Sequence, residues 1–390
     1  MNADAKSINV PGGGDVLAPV FAQYPVDVVS GEGVWLRTRR GERVLDLYGG
    51  HAVAALGYGH PGWTKAVAEQ AKSCNFQSNA VPMDVRQRAA ERLIRFAGGR
   101  FDRVFFVNSG AEANENAMKM AFRINPKRTQ VAALEYSFHG RTAAAGAMTW
   151  GAAAKWYALP RAPFDVSFMP RKEVAAIAKH VTENTAAVII EPVQGLAGAY
   201  DFGAEYLDAL RKRCDETGAL LIFDEVQCGT GRVGRPFAAD LYNVRPDMIT
   251  AAKALGNGFP CAALLTSPKV SAAIKLDSMG TTYGGGPMAC AAIEACIEAI
   301  ESGNLLENVR KISEYIRKTC VVGPVTGVQG EGFLLGLRTT RPAKEIHAQL
   351  LEVGILAGTS TDPNILRLLP PFILEEQHVD MLADALSHLP

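Results

Sequence analysis

Two side chains in this sequence have the types and the setting to do carbonyl chemistry together. Lys253 follows the apolar run Met248-Ile-Thr-Ala-Ala252 and precedes Gly256 and Gly258. A lysine at the end of a buried strand is poorly solvated, which disfavours its charged form and leaves a nucleophilic amine. Such an amine condenses with an aldehyde. A lone lysine in this position would more readily read as a surface residue after a strand. Asp224 changes that balance, because it ends a second apolar run upstream, Ala219-Leu-Leu-Ile-Phe223. A carboxylate buried there is costly unless it meets a partner. A protonated pyridine nitrogen is a fitting partner, and a ring held in that state is an electron sink.

Two further stretches supply what such a ring would need. Ser109-Gly110-Ala111 lies between a predicted strand and a predicted helix. Helix N-termini expose free N–H groups and a partial positive charge, which suits a phosphate. The stretch is neither a G-x-G-x-x-G nor a P-loop, so a nucleotide is disfavoured; Ser109 alone also fits a plain N-cap. Phe138 offers an apolar face to a flat ring. His139 reads by default as a hydrogen-bonded structural histidine. Arg141 could clamp a carboxylate in a bidentate fork, or simply be solvated. Amine, phosphate cradle, carboxylate and aromatic face together describe a pyridoxal-phosphate site.

These residues must be held by strand ends. Val104–Val107, Val131–Leu134, Ala186–Ile190, the runs before Asp224 and Lys253, and Ala262–Leu265 read as strands separated by helical patterns. Continuous apolar runs indicate strands buried on both faces. Their alternation with helices predicts an α/β fold with a mostly parallel sheet, whose site lies at the carboxyl ends of the strands. Ser109, Glu191, Asp224 and Lys253 all fall at such ends. Upstream, Val26–Val29, Gly33–Leu36 and Arg43–Leu47 predict an antiparallel meander turning at Ser30–Gly33, and helices are expected at about 63–73 and 84–97. Residues 1–20 read as loosely structured around Pro11–Gly14. Beyond residue 290 the rhythm changes. Helices at 287–302, 304–319, 343–353 and 376–388 with strands at 333–337 and 364–369 suggest a separate α+β domain.

Lysine plus arginine equals aspartate plus glutamate, 40 each, so nothing suggests capture of nucleic acid or of an anionic membrane. No apolar run is long enough to span a bilayer. Seven dispersed cysteines without a C-x-x-C pair argue against a disulfide framework and against a zinc site. No metal is expected. Without an apolar signal core near Met1, the expected location is cytoplasmic.

From about Val28 to Leu374 the chain resembles the class III (subgroup II) pyridoxal-phosphate aminotransferases of fold type I, with most likeness to the acetylornithine aminotransferases. The resemblance rests on Phe105-Phe-Val-Asn-Ser-Gly-Ala-Glu-Ala-Asn-Glu115, Phe138-His-Gly-Arg-Thr142, Glu191-Pro-Val-Gln-Gly195, Leu221-Ile-Phe-Asp-Glu-Val-Gln227, Gly229-Thr-Gly-Arg232, Ala252-Lys-Ala-Leu-Gly256, Gly280-Thr-Thr-Tyr-Gly-Gly285 and Arg367-Leu-Leu-Pro-Pro371. It implies a large cofactor-binding domain over residues 55–290, with a mostly parallel sheet of the seven-stranded type between helices. It also implies a small domain from residues 1–54 and 291–390. The implied cofactor is pyridoxal 5'-phosphate. Lys253 would bind its aldehyde carbon and carry the proton, and Asp224 would pair with the ring nitrogen. Gln227 would reach the ring hydroxyl, and Phe138 would stack on the ring. Ser109, Gly110 and Ala111 would hold the phosphate, with Thr282 reaching it from the other subunit of a homodimer. Glu191, His139, Glu225 and Val226 would complete the cofactor pocket. Arg141, Thr281 and Arg367 would bind substrate.

The implied reaction moves the δ-amino group of N-acetylornithine to 2-oxoglutarate, as in arginine biosynthesis. Succinylornithine, ornithine or 4-aminobutyrate are alternative donors, and an aminomutase is an alternative class. Three positions depart from the family pattern. Leu196 stands where the family has a glutamate that pairs with the arginine matching Arg367, and Phe21 and Gln23 replace a tyrosine and an arginine. All three fall where the resemblance places substrate recognition. A nearby acid, Glu331 or Glu32, could stand in for the missing glutamate.

Overall fold

The computed structural model describes residues 18 and 20–389. The breaker cluster expected at Pro11–Gly14 lies outside the described residues. The fold is α/β, built on a central sheet of seven strands. In spatial order these are Arg103–Val107, Ala262–Thr266, Met248–Ala251, Leu220–Asp224, Thr185–Ile190, Gln130–Leu134 and Asp165–Met169. Neighbours from Met248–Ala251 through to Asp165–Met169 run parallel. Ala262–Thr266 alone is reversed, antiparallel to the strands on both its sides.

Thr185–Ile190 and Leu220–Asp224 are buried at every residue, which is why they read as unbroken apolar runs rather than alternating ones. Successive side chains nevertheless go to opposite faces. Val188, Ile190, Leu221 and Phe223 join one core with Leu207 and Leu210 of the helix Gly203–Thr217. Ala187, Ile189, Leu220 and Ile222 join the other with Ala117, Met118 and Ala121 of the helix Gly110–Ile124. Clamped from both sides, the parallel strands end together, and their carboxyl ends carry Asp224 and the residues just before Glu191 and Lys253.

The chain ends build two more sheets. Val28–Glu32, Trp35–Thr38 and Arg43–Asp46 form the expected meander, and Ile355–Leu356 adds to it in parallel beside Leu45 and Asp46. Val325–Glu331, Leu334–Thr339, Ile365–Leu368 and Gly358–Thr359 form an antiparallel sheet. Buried Arg232 ties these parts to the central layer. Its guanidinium donates to the carbonyls of Ala52, Phe333 and Pro370 and lies 4.6 Å over the Phe372 ring. Burial lowers its pKa to about 9, the cost of placing a cation where only carbonyl oxygens solvate it. No helix among the described residues is long and apolar enough to cross a membrane.

Differences from expectation are local. The first hairpin turns later than predicted, because Ser30, Gly31 and Glu32 pair with Arg37, Leu36 and Trp35. Ladder pairing there outweighs the turn propensity of Ser-Gly-Glu-Gly. Asp165–Met169 and Val325–Glu331 carry no sequence signal. The first is an edge strand and only partly buried; the second holds Thr326, Gly327, Gln329 and Gly330 and owes its form to the strand beside it.

Candidate active site

A cavity of about 700 Å³ opens at the carboxyl ends of the parallel strands, within the range that holds a cofactor and a small substrate. Lys253 lies in it, two residues beyond the end of the Met248–Ala251 strand and at the start of a short 3-10 turn. Its backbone has φ +48°, in the left-handed region, a strained conformation for a non-glycine residue that surrounding structure must impose. Burial lowers the amine's pKa, against the opposing pull of Asp224 and Glu191.

Asp224 is held by three donors. Its Oδ2 accepts from His139 Nδ1 at 2.7 Å and from Asn114 Nδ2 at 2.8 Å, and its Oδ1 accepts from the Val226 N–H at 3.1 Å. Oδ2 therefore carries both side-chain donors, and Oδ1 keeps acceptor capacity for a group in the cavity. Asn114 also donates to the His139 carbonyl and accepts from Thr250 Oγ1, each at 2.8 Å. One amide thus links the helix that starts at Gly110 to the Asp224 strand, the His139 loop and the strand leading to Lys253. Asn114 was legible in the sequence only as part of a motif. Its signal is a polar side chain among the small and apolar residues Ala113, Ala117, Met118 and Ala121 that the helix buries.

Ser109 caps the helix Gly110–Ile124, its Oγ accepting from the Glu112 N–H at 3.2 Å. With Gly110 and Ala111 it borders the cavity. A Cβ on Gly110 would lie 2.7 Å from both Val226 methyls, so only glycine lets the helix end approach that wall. Glu191 accepts from the Phe138 N–H at 2.9 Å and fixes the ring beside it. Burial, with Asp224 near, pushes the Glu191 carboxyl up to about 7, while His139 and Lys253 pull the other way. The Arg141 guanidinium lies 5.0 Å from the Phe138 ring centroid. Gln227 Nε2 donates to the His51 carbonyl at 3.4 Å, and a Cβ at Gly195 would overlap Gln227 Oε1 at 1.6 Å.

Arg367 is buried and borders the same cavity. It donates to the carbonyls of Thr359 at 2.6 Å and Gly195 at 3.2 Å, and to the Tyr48 hydroxyl at 3.4 Å. Burial lowers its pKa, offset in part by Tyr48 and Tyr24. Among the described residues it has no carboxylate partner within ion-pair distance. Leu196 and Phe21 border the same cavity. Glu331 lies on the antiparallel strand near Arg317, and Glu32 on the first hairpin, so neither fills the place of the missing glutamate.

Three expected site residues lie elsewhere in this chain. Glu225 turns away from the cavity, and its carboxylate accepts from the Ala238 and Ala239 N–H groups at 2.5 and 2.9 Å. Strand alternation puts it on the face opposite Asp224. Thr281 is engaged by Asn108 Nδ2 at 3.4 Å and by the Gly284 N–H at 3.1 Å. Thr282 is exposed, next to Tyr283, and does not border the cavity of its own chain.

The residues present fit pyridoxal phosphate. The donor set offers an amine for the aldehyde, a carboxylate oxygen with spare capacity for the ring nitrogen, and a helix N-terminus in a cradle that a Cβ at Gly110 would close. Comparison with known proteins agrees. The family model described as aminotransferase class-III matches residues 17–389. The chain is 35% identical to the acetylornithine aminotransferase of Methanocaldococcus jannaschii, over 95% of this chain and 94% of that protein. Among solved structures, the ornithine aminotransferase of Toxoplasma gondii superposes with a TM-score of 0.89 at 25% identity, covering 95% of this chain and 92% of that one. The acetylornithine aminotransferase of Elizabethkingia anophelis does so with a TM-score of 0.84 at 28% identity, covering 95% of each.

Proposed function

The chain belongs to the class-III aminotransferases and is a pyridoxal-phosphate enzyme, and from that premise we propose that it moves the δ-amino group of N-acetylornithine to 2-oxoglutarate, in arginine biosynthesis in the cytoplasm. The observation that carries the reading is the meeting of Lys253, Asp224 and the Ser109 helix end in one cavity with Arg141 and Arg367. When bound, the cofactor supplies an electron sink for the charge left on a substrate carbon as its proton leaves. Lys253 Nζ would take that proton and return it two atoms away, at the carbon that the cofactor's aldehyde contributes, a transfer suited to an amine whose pKa is lowered. Asp224 Oδ1 would hold a proton on the ring nitrogen, while His139 and Asn114 keep the carboxylate oriented. The N–H groups at Ser109–Ala111 receive the phosphate. Phe138 would stack on the ring, Val226 borders the same cavity, and Gln227 would reach the ring hydroxyl. Arg141 and Arg367 bind substrate carboxylates. Residues 55–290 are taken as the cofactor-binding domain and both chain ends as the small one, a division supported by the pairing of Leu45 with Ile355.

The test is a panel of amino donors with 2-oxoglutarate as acceptor, read by glutamate release. N-acetylornithine should lead ornithine and 4-aminobutyrate. Failure of every donor to release glutamate would reject the transaminase assignment in favour of a mutase.

Leu196 sharpens the donor choice. An arginine suited to a dicarboxylate is a poor neighbour for the α-ammonium of free ornithine, and Leu196 carries no charge to mask it. Acylated ornithines should therefore be preferred. Leu196→Glu should raise kcat/KM for free ornithine relative to N-acetylornithine by about tenfold, the scale of one interaction worth ~1.4 kcal/mol. Equal use of the two donors by the parent enzyme would remove the basis of this account.

A homodimer with shared sites is the assembly we propose. Its support is the exposure of Thr282 and Tyr283 beside Phe76, an apolar pair with ring centroids 5.5 Å apart. Subunits carrying Lys253→Ala and subunits carrying Thr282→Glu should each be inactive alone. If the two residues serve one site from different chains, each hybrid dimer contains one intact site, and mixing should restore turnover. Verified hybrids without activity would place both residues in the same chain's site.

A further inference from the structure

The turn that follows the meander is unusual. Gly49, Gly50, His51 and Ala52 all have positive φ, at 55°, 54°, 65° and 68°. Two of the four are not glycine, so the surroundings must impose the conformation, a situation that concentrates at functional sites. The restraints are visible. Asp46 Oδ1 accepts from the Tyr48 and Gly49 N–H groups at 2.8 and 2.9 Å, Arg232 donates to the Ala52 carbonyl at 3.3 Å, and Gln227 donates to the His51 carbonyl. The result of this clamping is to present the His51 ring to the cavity, at the end that holds Leu196 and Arg367.

The hydrogen bonds around Tyr48 fix the state of that ring. Arg367 can only donate, so the Tyr48 oxygen accepts from it. The phenol hydrogen is then free for His51 Nδ1, 2.6 Å away. Given to Nδ1, it makes Nδ1 an acceptor and leaves the imidazole proton on Nε2. We assign that tautomer because it satisfies a buried hydroxyl that has no other acceptor among the described residues. Partial burial, reinforced by Arg367, Lys253 and Arg141, lowers the His51 pKa, the same direction as the neutral ring that the Tyr48 hydrogen bond requires. The charged groups acting on His51 are all cations, and no protein carboxylate stands among them. This end of the cavity therefore offers donors and positive charge; the acid acting on Arg367 is Glu191, which makes no ion pair with it and accepts instead from the Phe138 N–H.

We propose that His51 Nε2–H and the Arg367 guanidinium form a composite receptor for a substrate carboxylate, with Tyr48 as the positioning residue that fixes the histidine tautomer. The inference rests on the aminotransferase reading above and adds a specificity-determining residue to it. His51 accepts only a hydrogen-bond acceptor there, so both the amino donor and the oxo acid must bring a carboxylate oxygen to this end. A simple alkyl amine brings none and is selected against. A neutral histidine also adds a donor without adding a second charge, so one carboxylate satisfies the pair.

The test uses the holoenzyme and glutarate, a dicarboxylate that cannot transaminate, titrated by calorimetry. His51→Ala should weaken glutarate by about tenfold or more, as expected for one hydrogen bond to a charged group. His51→Gln, whose amide can donate from nearly the same place, should recover affinity to within about threefold of the parent. Tyr48→Phe frees Nδ1 and should fall between them. In turnover, KM for 2-oxoglutarate should rise more than kcat falls. Equal glutarate affinity in the parent and His51→Ala would overturn the receptor. Equal losses in His51→Ala and His51→Gln would overturn the donor role, whatever the stability of either variant. Glutarate binding does not require the reaction, so failure of the donor panel leaves it readable and separates the two proposals.

Discussion

Lys253→Ala will lose about 10⁴-fold in kcat, the upper end of what removing a positioned proton carrier costs. The effect should be the largest of any single replacement, because the same amine both binds the cofactor and moves the substrate proton. The lysine sits at a strained left-handed residue directly after a buried strand, with Asp224 and Glu191 the acidic groups acting on it. Neither a neighbouring lysine nor solvent can take its place at that position. The variant should keep the fold, since the cores lie on the faces of the sheet and Lys253 joins neither. Two measurements check this. The absorbance of lysine-bound cofactor should vanish, leaving only that of free or loosely held cofactor. In the parent enzyme, borohydride followed by peptide mapping should fix the cofactor on Lys253. A label on any other lysine rejects the assignment.

Asp224→Ala is the second large effect. Removing the carboxylate takes away the acceptor that faces the ring nitrogen, and it strands the donors of His139 and Asn114 in a buried site. Electrostatic support aimed at charge developing in a transition state is typically worth about 3 kcal/mol, or roughly 100-fold in rate. Proton abstraction should slow by about that factor or more, while the affinity for the amino donor changes far less. Single-turnover half-reactions followed by stopped flow separate the two. Half-reactions at the parent rate would show that Asp224 does not serve the ring nitrogen. Asp224→Asn is the informative companion. It keeps an acceptor for His139 and Asn114 but sets its NH2 against the Val226 N–H and cannot hold a proton on the ring nitrogen, so it should resemble the alanine variant in rate.

Much of this protein was written in its sequence. The unbroken apolar runs before Glu191, Asp224 and Lys253 required strands buried on both faces. Alternation with helices made the sheet parallel, and parallel sheets gather chemistry at their carboxyl ends. The helix start at Ser109 and the aromatic Phe138 were legible for the same local reasons. Tertiary structure decided what depends on partners distant in the chain. Asp165–Met169 and Val325–Glu331 are strands only because neighbouring strands pair with them. Glu225 adjoins Asp224 in sequence, yet strand alternation sends its carboxylate to cap the helix Ala238–Tyr242 on the other face. Asn114 gained its role from three contacts, two of them more than a hundred residues away. The same holds at the substrate end. Leu196 announced a missing charge, but only the folded chain shows that backbone carbonyls and Tyr48 surround Arg367, and that a clamped left-handed turn sets His51 beside them. Periodicity fixes which face a residue takes. Which groups meet across that face is set by packing, and packing is a property of the whole chain.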